Sequence, residues 1–322
     1  MKNIYIKPSD DISHILNNLD EEATIYLAEG VYRAKIWIKA DGVKLVGAGR
    51  ETTKITFDDY ARKPHADGGE YNTFRTYTLC VTGKNCFVEN LTIENSNAHP
   101  EKVGQCVALS VNSPSFIARN VDLVSTQDTL FTSPFPDDLV VRYSGLTDDP
   151  AYYDGFIPRE QLYMQGGAVQ IFENCRIYGS VDFIFGCAEA YFDNCKLISV
   201  GDARNTGYVA APAHSLKQDR GYVFLNCSFE SQGAKDGSIY LARPWRDFGK
   251  CDFIDCSLGK HISPLLFDKW NDTFRDKTCR FAYSGLKTSL PLSPVPWSRE
   301  ISEEEKCRIT ARFNQLKNSM NF

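Results

Sequence analysis

One phrase recurs along this chain, and it limits the fold more than any other feature. FVENLTI (87–93), FIARNVDL (116–123), IFENCRI (171–177), YFDNCKL (191–197), VFLNCSF (223–229) and FIDCSL (253–258) share a pattern. Each has an apolar strand, an Asn or Asp, one small or apolar residue, then a second alternating strand. The polar residues are Asn90, Asn120, Asn174, Asn194, Asn226 and Asp255, separated by 30, 54, 20, 32 and 29 residues. A β-rich repeat of this length implies a solenoid in which each repeat makes one coil and stacks on the last. Leucine-rich and helical arrays are excluded by the β content. An antiparallel sandwich would need frequent NG or DG turns between short paired strands, and these are not frequent here. The expected fold is all-β: a right-handed parallel β-helix with strands stacked about 4.8 Å apart and Asn residues stacking at a recurring turn.

Two helices are expected outside the repeats. Residues 9–19, SDDISHILNNL, carry Ile12, Ile15, Leu16 and Leu19 at helical spacing, with Ser9 or Asp10 as N-cap. Near the other end, Ser302 and Glu305 form a capping-box pattern ahead of an Ile309, Phe313, Leu316 stripe. The proline-rich segment before it is expected to cross the solenoid surface, so 287–322 reads as a tail. No helix is expected between the first of these and residue 284. The 54-residue gap exceeds one coil by about the length of 133–165, a Pro-, Asp- and Tyr-rich piece that reads as an excursion from the wall. The whole of 1–322 is expected to form a single domain.

Composition narrows the function. A net charge of −5 carries no nucleic-acid footprint. No apolar run approaches membrane-spanning length. The N-terminal MKNIYIKPSDD lacks the apolar core of a signal peptide, which points to the cytoplasm, or to the exterior if a leader has been removed. Eleven cysteines without a CxxC pair or Cys/His cluster read as reduced, buried small hydrophobes rather than zinc ligands.

The chemistry is expected where polar residues interrupt apolar strands. Asp182 lies in SVDFIFG, where a carboxylate is costly unless something pairs with it. Asp128 and Gln127 lie in TQDTL, and Gln105 in GQCVAL. Gln105 and Gln127 are 22 residues apart, one coil. Asp128 and Asp182 are 54 apart, about one coil once the excursion is removed. Residues one coil apart stack on one face, so two amides and two carboxylates converge. Neighbouring carboxylates push their pKa values apart, which suits one to act as an acid and the other as a nucleophile. Amide donors beside them suit a developing oxyanion. Taken singly, either Gln reads as a member of a stacked ladder. His65, His99, His214 and His261 have no evident partners and are given no role, and no Ser-His-Asp arrangement is visible.

GVYRA (30–34), GQCVAL (104–109), QDTL (127–130), DFIFG (182–186) and LARPW (241–245) resemble, in order, the motif set of the pectin methylesterases. These are carbohydrate esterases built on a right-handed parallel β-helix. The likeness runs from about residue 5 to 285. It implies Asp182 as the nucleophile on a C6 methyl ester of galacturonate and Asp128 as the general acid, then base. It further implies Gln105 and Gln127 as oxyanion donors, Arg243 as the partner that orients Asp182, and Trp245 against a sugar ring. Val181, Phe185 and Thr78 fall at substrate-cleft positions of the family. Spacing alone does not bring Arg243 to Asp182, since 61 residues separate them. No metal or organic cofactor is implied, and the expected partner is methylated pectin or oligogalacturonide, met by a monomer. The chain departs from the family pattern at Ala34, Cys106 and Ala242, none of which removes a catalytic side chain. A pectate lyase would need clustered acids for Ca²⁺, and a polygalacturonase two or three Asp for inverting hydrolysis. A non-catalytic sugar-binding solenoid is the other alternative. The excursion leaves beside Asp128. With Tyr143, Tyr152, Tyr153 and Tyr163 it is expected to close one end of the groove, favouring methylated oligogalacturonides over polymer.

Overall fold

The computed structural model describes residues 2–66, 68–97, 100–144, 167–271 and 273–320. Three parallel sheets of eleven, eight and seven strands stack along a common axis, and successive strands of the chain pass from one sheet to the next. One coil runs Val169–Glu173, Arg176–Gly179, Val181–Gly186; the next runs Glu189–Asp193, Lys196–Val200, Gly207–Pro212. This is the parallel β-helix expected from the repeats.

The recurring Asn, with Asp255 in the last copy, turns six successive coils. Asn90, Asn120, Asn174, Asn194, Asn226 and Asp255 all have φ between +52° and +58°. That left-handed conformation is costly for most side chains but accessible to Asn and Asp. The Asn side chains also bond between coils, Asn120 Nδ2 to Asn90 Oδ1 at 2.5 Å and Asn194 Nδ2 to Asn174 Oδ1 at 2.7 Å. Behind the turn, repeated residues stack in the interior. The rings of Phe172, Phe192, Phe224 and Phe253 follow one another at 4.9, 4.6 and 4.7 Å, close to the spacing of the strands that carry them. Cys175, Cys195, Cys227 and Cys256 form a parallel file, each thiol directed at a backbone carbonyl. All eleven cysteines are free, and ten are buried.

Helix α1 (Ile12–Asn17) buries Ile12 and Leu16. Its cap is Asp11, which accepts from His14 N–H, rather than Ser9 or Asp10; Asp10 instead accepts from Lys7 N–H. Two helices occur where none was expected: α2 (Pro100–Val103) and α3 (Asp137–Ser144). The second opens the excursion. Its start, Pro136 followed by two acids in the first turn, is an ordinary helix N-terminus. The rest of the excursion, with Tyr152, Tyr153 and Tyr163, lies outside the described residues, as does the side chain of Tyr143. Helix α4 (Glu303–Ser319) lays Ile309, Phe313 and Leu316 on the outer face of the eleven-stranded sheet, Phe313 stacking on Tyr191. Ser302 caps it by accepting from Glu305 N–H, but the Glu305 carboxylate pairs with Arg299, so only half of the capping box forms. Among the described residues no helix is long and apolar enough to cross a membrane.

Candidate active site

The two carboxylates lie one coil apart on the outer face of the seven-stranded sheet. Leu130 pairs with Ile184, and Asp128 N–H donates to Val181 O at 3.1 Å. Both acids are left-handed, with φ of +61° at Asp128 and +50° at Asp182. Pairing to the following strand shifts register between Val181 and Ile184, which marks a β-bulge. Its effect is visible in the side chains. Phe183 and Ile184 both enter the core, while Asp182 and Phe185 face a cleft outside it. Gly186 closes the motif at φ +127°, where a Cβ would lie 1.9 Å from Thr132 O.

The cleft has a volume of about 310 Å³, and its walls include Gln105, Gln127, Asp128, Asp182, Phe185, Arg243 and Trp245. Seven of the nine residues expected from the sequence therefore meet there. The two others do not line it. Thr78 is fully buried and donates its hydroxyl to Glu94 O, and Val181 is buried with its backbone paired to Gln127.

Arg243 grips Asp182 with a two-pronged fork, Nε to Oδ1 at 2.8 Å and Nη2 to Oδ2 at 2.6 Å. The guanidinium lies between two rings, 3.8 Å from the Tyr208 centroid and 4.0 Å from that of Trp270. A planar cation fits this slot and a lysine would not. Tyr208 is itself held by Asp268, which accepts its hydroxyl at 2.9 Å. Trp245 meets Phe185 edge-on at 5.6 Å, making an aromatic wall. Helix α3 adds Leu139 to the lining, and its Asp138 is forked by Arg246 at 2.8 and 2.6 Å. Tyr208, Trp270, Arg246, Leu139 and Arg204 were not found from the sequence. Trp270 lies outside the strands, and no motif or period of the sequence marks it.

Burial is the largest influence on both acids and pushes both carboxyls above the ordinary range. At Asp128 the charge of Asp182 adds to burial and takes it well above 3.8. At Asp182 the Arg243 fork opposes burial, helped by the charge of Arg204. Asp182 therefore ionises first and Asp128 keeps its proton longer. Among the described residues no histidine lines the cleft: His214 is buried against Ala188 O, and burial takes it down to about 3. Among the described residues no group of three or more His, Cys, Asp or Glu is placed to hold a metal ion.

A family model described as pectinesterase matches residues 5–135 and 153–289. Over 309 residues the chain is 30% identical to probable pectinesterase/pectinesterase inhibitor 64 of Arabidopsis thaliana, an alignment covering 87% of this chain and 43% of that protein. The chain thus spans less than half the length of that relative. It is 27% identical over 290 residues to pectinesterase 31 of the same plant, covering 87% of this chain and 79% of the relative. A solved pectin methylesterase in complex with a hexasaccharide has the same fold, with a TM-score of 0.75 at 22% identity over 96% of this chain and 95% of the other. With most of its length matched by the family model, the chain belongs to the pectinesterase family.

Proposed function

We propose that this protein removes methyl groups from the C6 methyl esters of galacturonate in pectin or methylated oligogalacturonides, releasing methanol. The observation that carries the reading is the unequal treatment of two buried acids one coil apart. Arg243 forks onto Asp182, and Asp128 is left beside that pair. An ionised carboxylate is a nucleophile that needs aim rather than an activating base. Asp182 attacks the ester carbonyl, and the oxyanion takes hydrogen bonds from the side-chain amides of Gln105 and Gln127. Asp128, protonated, gives its proton to the methoxy oxygen, and methanol leaves. Water then opens the anhydride between Asp182 and the galacturonate. One water proton passes to Asp128, Asp182 departs as carboxylate, and the product acid loses its proton to solvent. Phe185, Trp245 and Trp270 give the sugar an aromatic wall.

The preference for short substrates is part of the same proposal. Its support is that the described start of the excursion stands in the cleft wall through Leu139 and is tied to another lining residue, Arg246, through Asp138. Incubation with methylated pectin and with methylated tri- to hexagalacturonides tests both parts. Methanol should appear in step with new carboxylates, faster per ester group on the short chains. Unsaturated product would indicate a lyase and new reducing ends a polygalacturonase, and either without methanol overturns the reading. Faster release from polymer removes the length preference alone.

A further inference from the structure

An oxyanion donor is useful only if its N–H points at the reacting atom. A glutamine side chain has two nearly isosteric ends, one donor and one acceptor, and a half-turn about its last bond exchanges them. Turned the wrong way, Gln127 would present a carbonyl to a developing negative charge. Something must therefore decide which end faces the cleft.

We propose that Arg204 is the positioning residue that decides it. Arg204 comes from the loop between Lys196–Val200 and Gly207–Pro212, and its Nη1 lies 2.8 Å from Gln127 Oε1. A guanidinium has donors and no acceptor, so the end of the amide that meets it must be the oxygen. The nitrogen is then turned to the other side, where it hydrogen-bonds the Asp128 carboxyl at the wall of the cleft that both residues line. Arg204 is itself fixed on two sides. Its Nη2 donates to Ser180 Oγ at 3.0 Å, and Ser180 Oγ donates on to Thr126 O at 3.0 Å. Its Nε donates to Asp202 Oδ2 at 3.0 Å, while Asp202 Oδ1 accepts from Arg204 N–H at 2.8 Å. The guanidinium is thus pinned to its own loop and to the coil beneath Gln127, and it spends one donor on the amide. Its charge also favours the ionised forms of Asp128 and Asp182. No residue of the sequence motifs supplies this contact.

The inference rests on Gln127 being an oxyanion donor, so the test separates the two claims. Arg204→Ala, Gln127→Ala and the double variant are compared on methylated oligogalacturonide, with melting temperatures checking the fold. Arg204→Ala should lower kcat by about 10- to 10²-fold, the scale of a misaimed donor, with KM changed by less than about twofold. In the Gln127→Ala background, where there is no amide left to aim, the same change should cost less than about threefold. Arg204→Lys, which keeps a charge and a donor but not the fork, should recover part of kcat. The Arg204 assignment falls if its loss is undiminished in the Gln127→Ala background, if only KM responds, or if kcat does not move. A native kcat in Gln127→Ala would instead remove the oxyanion reading of Gln127, and this inference with it.

Discussion

Two corners of the same coil use one backbone conformation for opposite ends. At the corner between the eleven- and eight-stranded sheets, Asn120, Asn174 and Asn194 sit at φ +52° to +54°. At the start of the seven-stranded sheet, Asp128 and Asp182 sit at +61° and +50°. In the first set the left-handed residue carries an amide, which is both donor and acceptor, and coils bond to one another through it. In the second it carries a carboxylate, which accepts only, so neighbouring coils repel unless a proton or a cation intervenes. Arg243 supplies the cation for Asp182, and a proton serves Asp128. One corner stabilises the stack; the other costs stability and gains chemistry.

Exchanging the polar group at each corner should break this contrast, with effects of decreasing size. Asp182→Asn should lose methanol release by on the order of 10⁴–10⁶, because the nucleophile is gone. Asp128→Asn should lose about 10²–10⁴, the scale of a general acid and base. The same variant should be more stable than the parent at neutral pH, because ionising Asp128 opposes folding when its folded pKa lies above the unfolded value. That gain should fade as pH falls toward 3.8, below which the acid is protonated folded or unfolded, and melting curves across pH read it. Gln105→Ala should lower kcat by about 10²–10³, and an effect in KM alone would make it a ground-state contact. At the other corner, Asn194→Ala should leave kcat unchanged and cost about 1–2 kcal/mol in denaturant unfolding. Asn194→Gly should cost less, because glycine enters the left-handed region freely.

The same contrast explains what could be read from the chain. The Asn corner repeats in six successive coils, with Asp255 in the last, so it is periodic in sequence and gives the fold directly. Asp128, Asp182 and both glutamines follow that period, and their convergence was legible once 133–165 was set aside. Arg243 was not, because it lies two coils from its partner. Val181 pairs with Tyr208, and Tyr208 with Tyr240, so the Arg243 side chain reaches back over the Tyr208 ring to Asp182. Arg204 and Trp270 come from irregular segments with no period at all. Helix α3 is short and lies in a β-rich setting, and its only sequence marks are proline and an acidic first turn. Thr78 and Val181 are buried and do not line the cleft, and motif position does not state whether a side chain reaches its surface.

The role of Asp182 as nucleophile is tested by methanol release from a methylated oligogalacturonide by the parent chain and by Asp182→Asn, both verified folded by their melting curves. The parent should release one methanol per new carboxylate with no new reducing or unsaturated ends, and the variant should lose release by at least about 10⁴-fold. Near-native methanol release from Asp182→Asn would contradict that role.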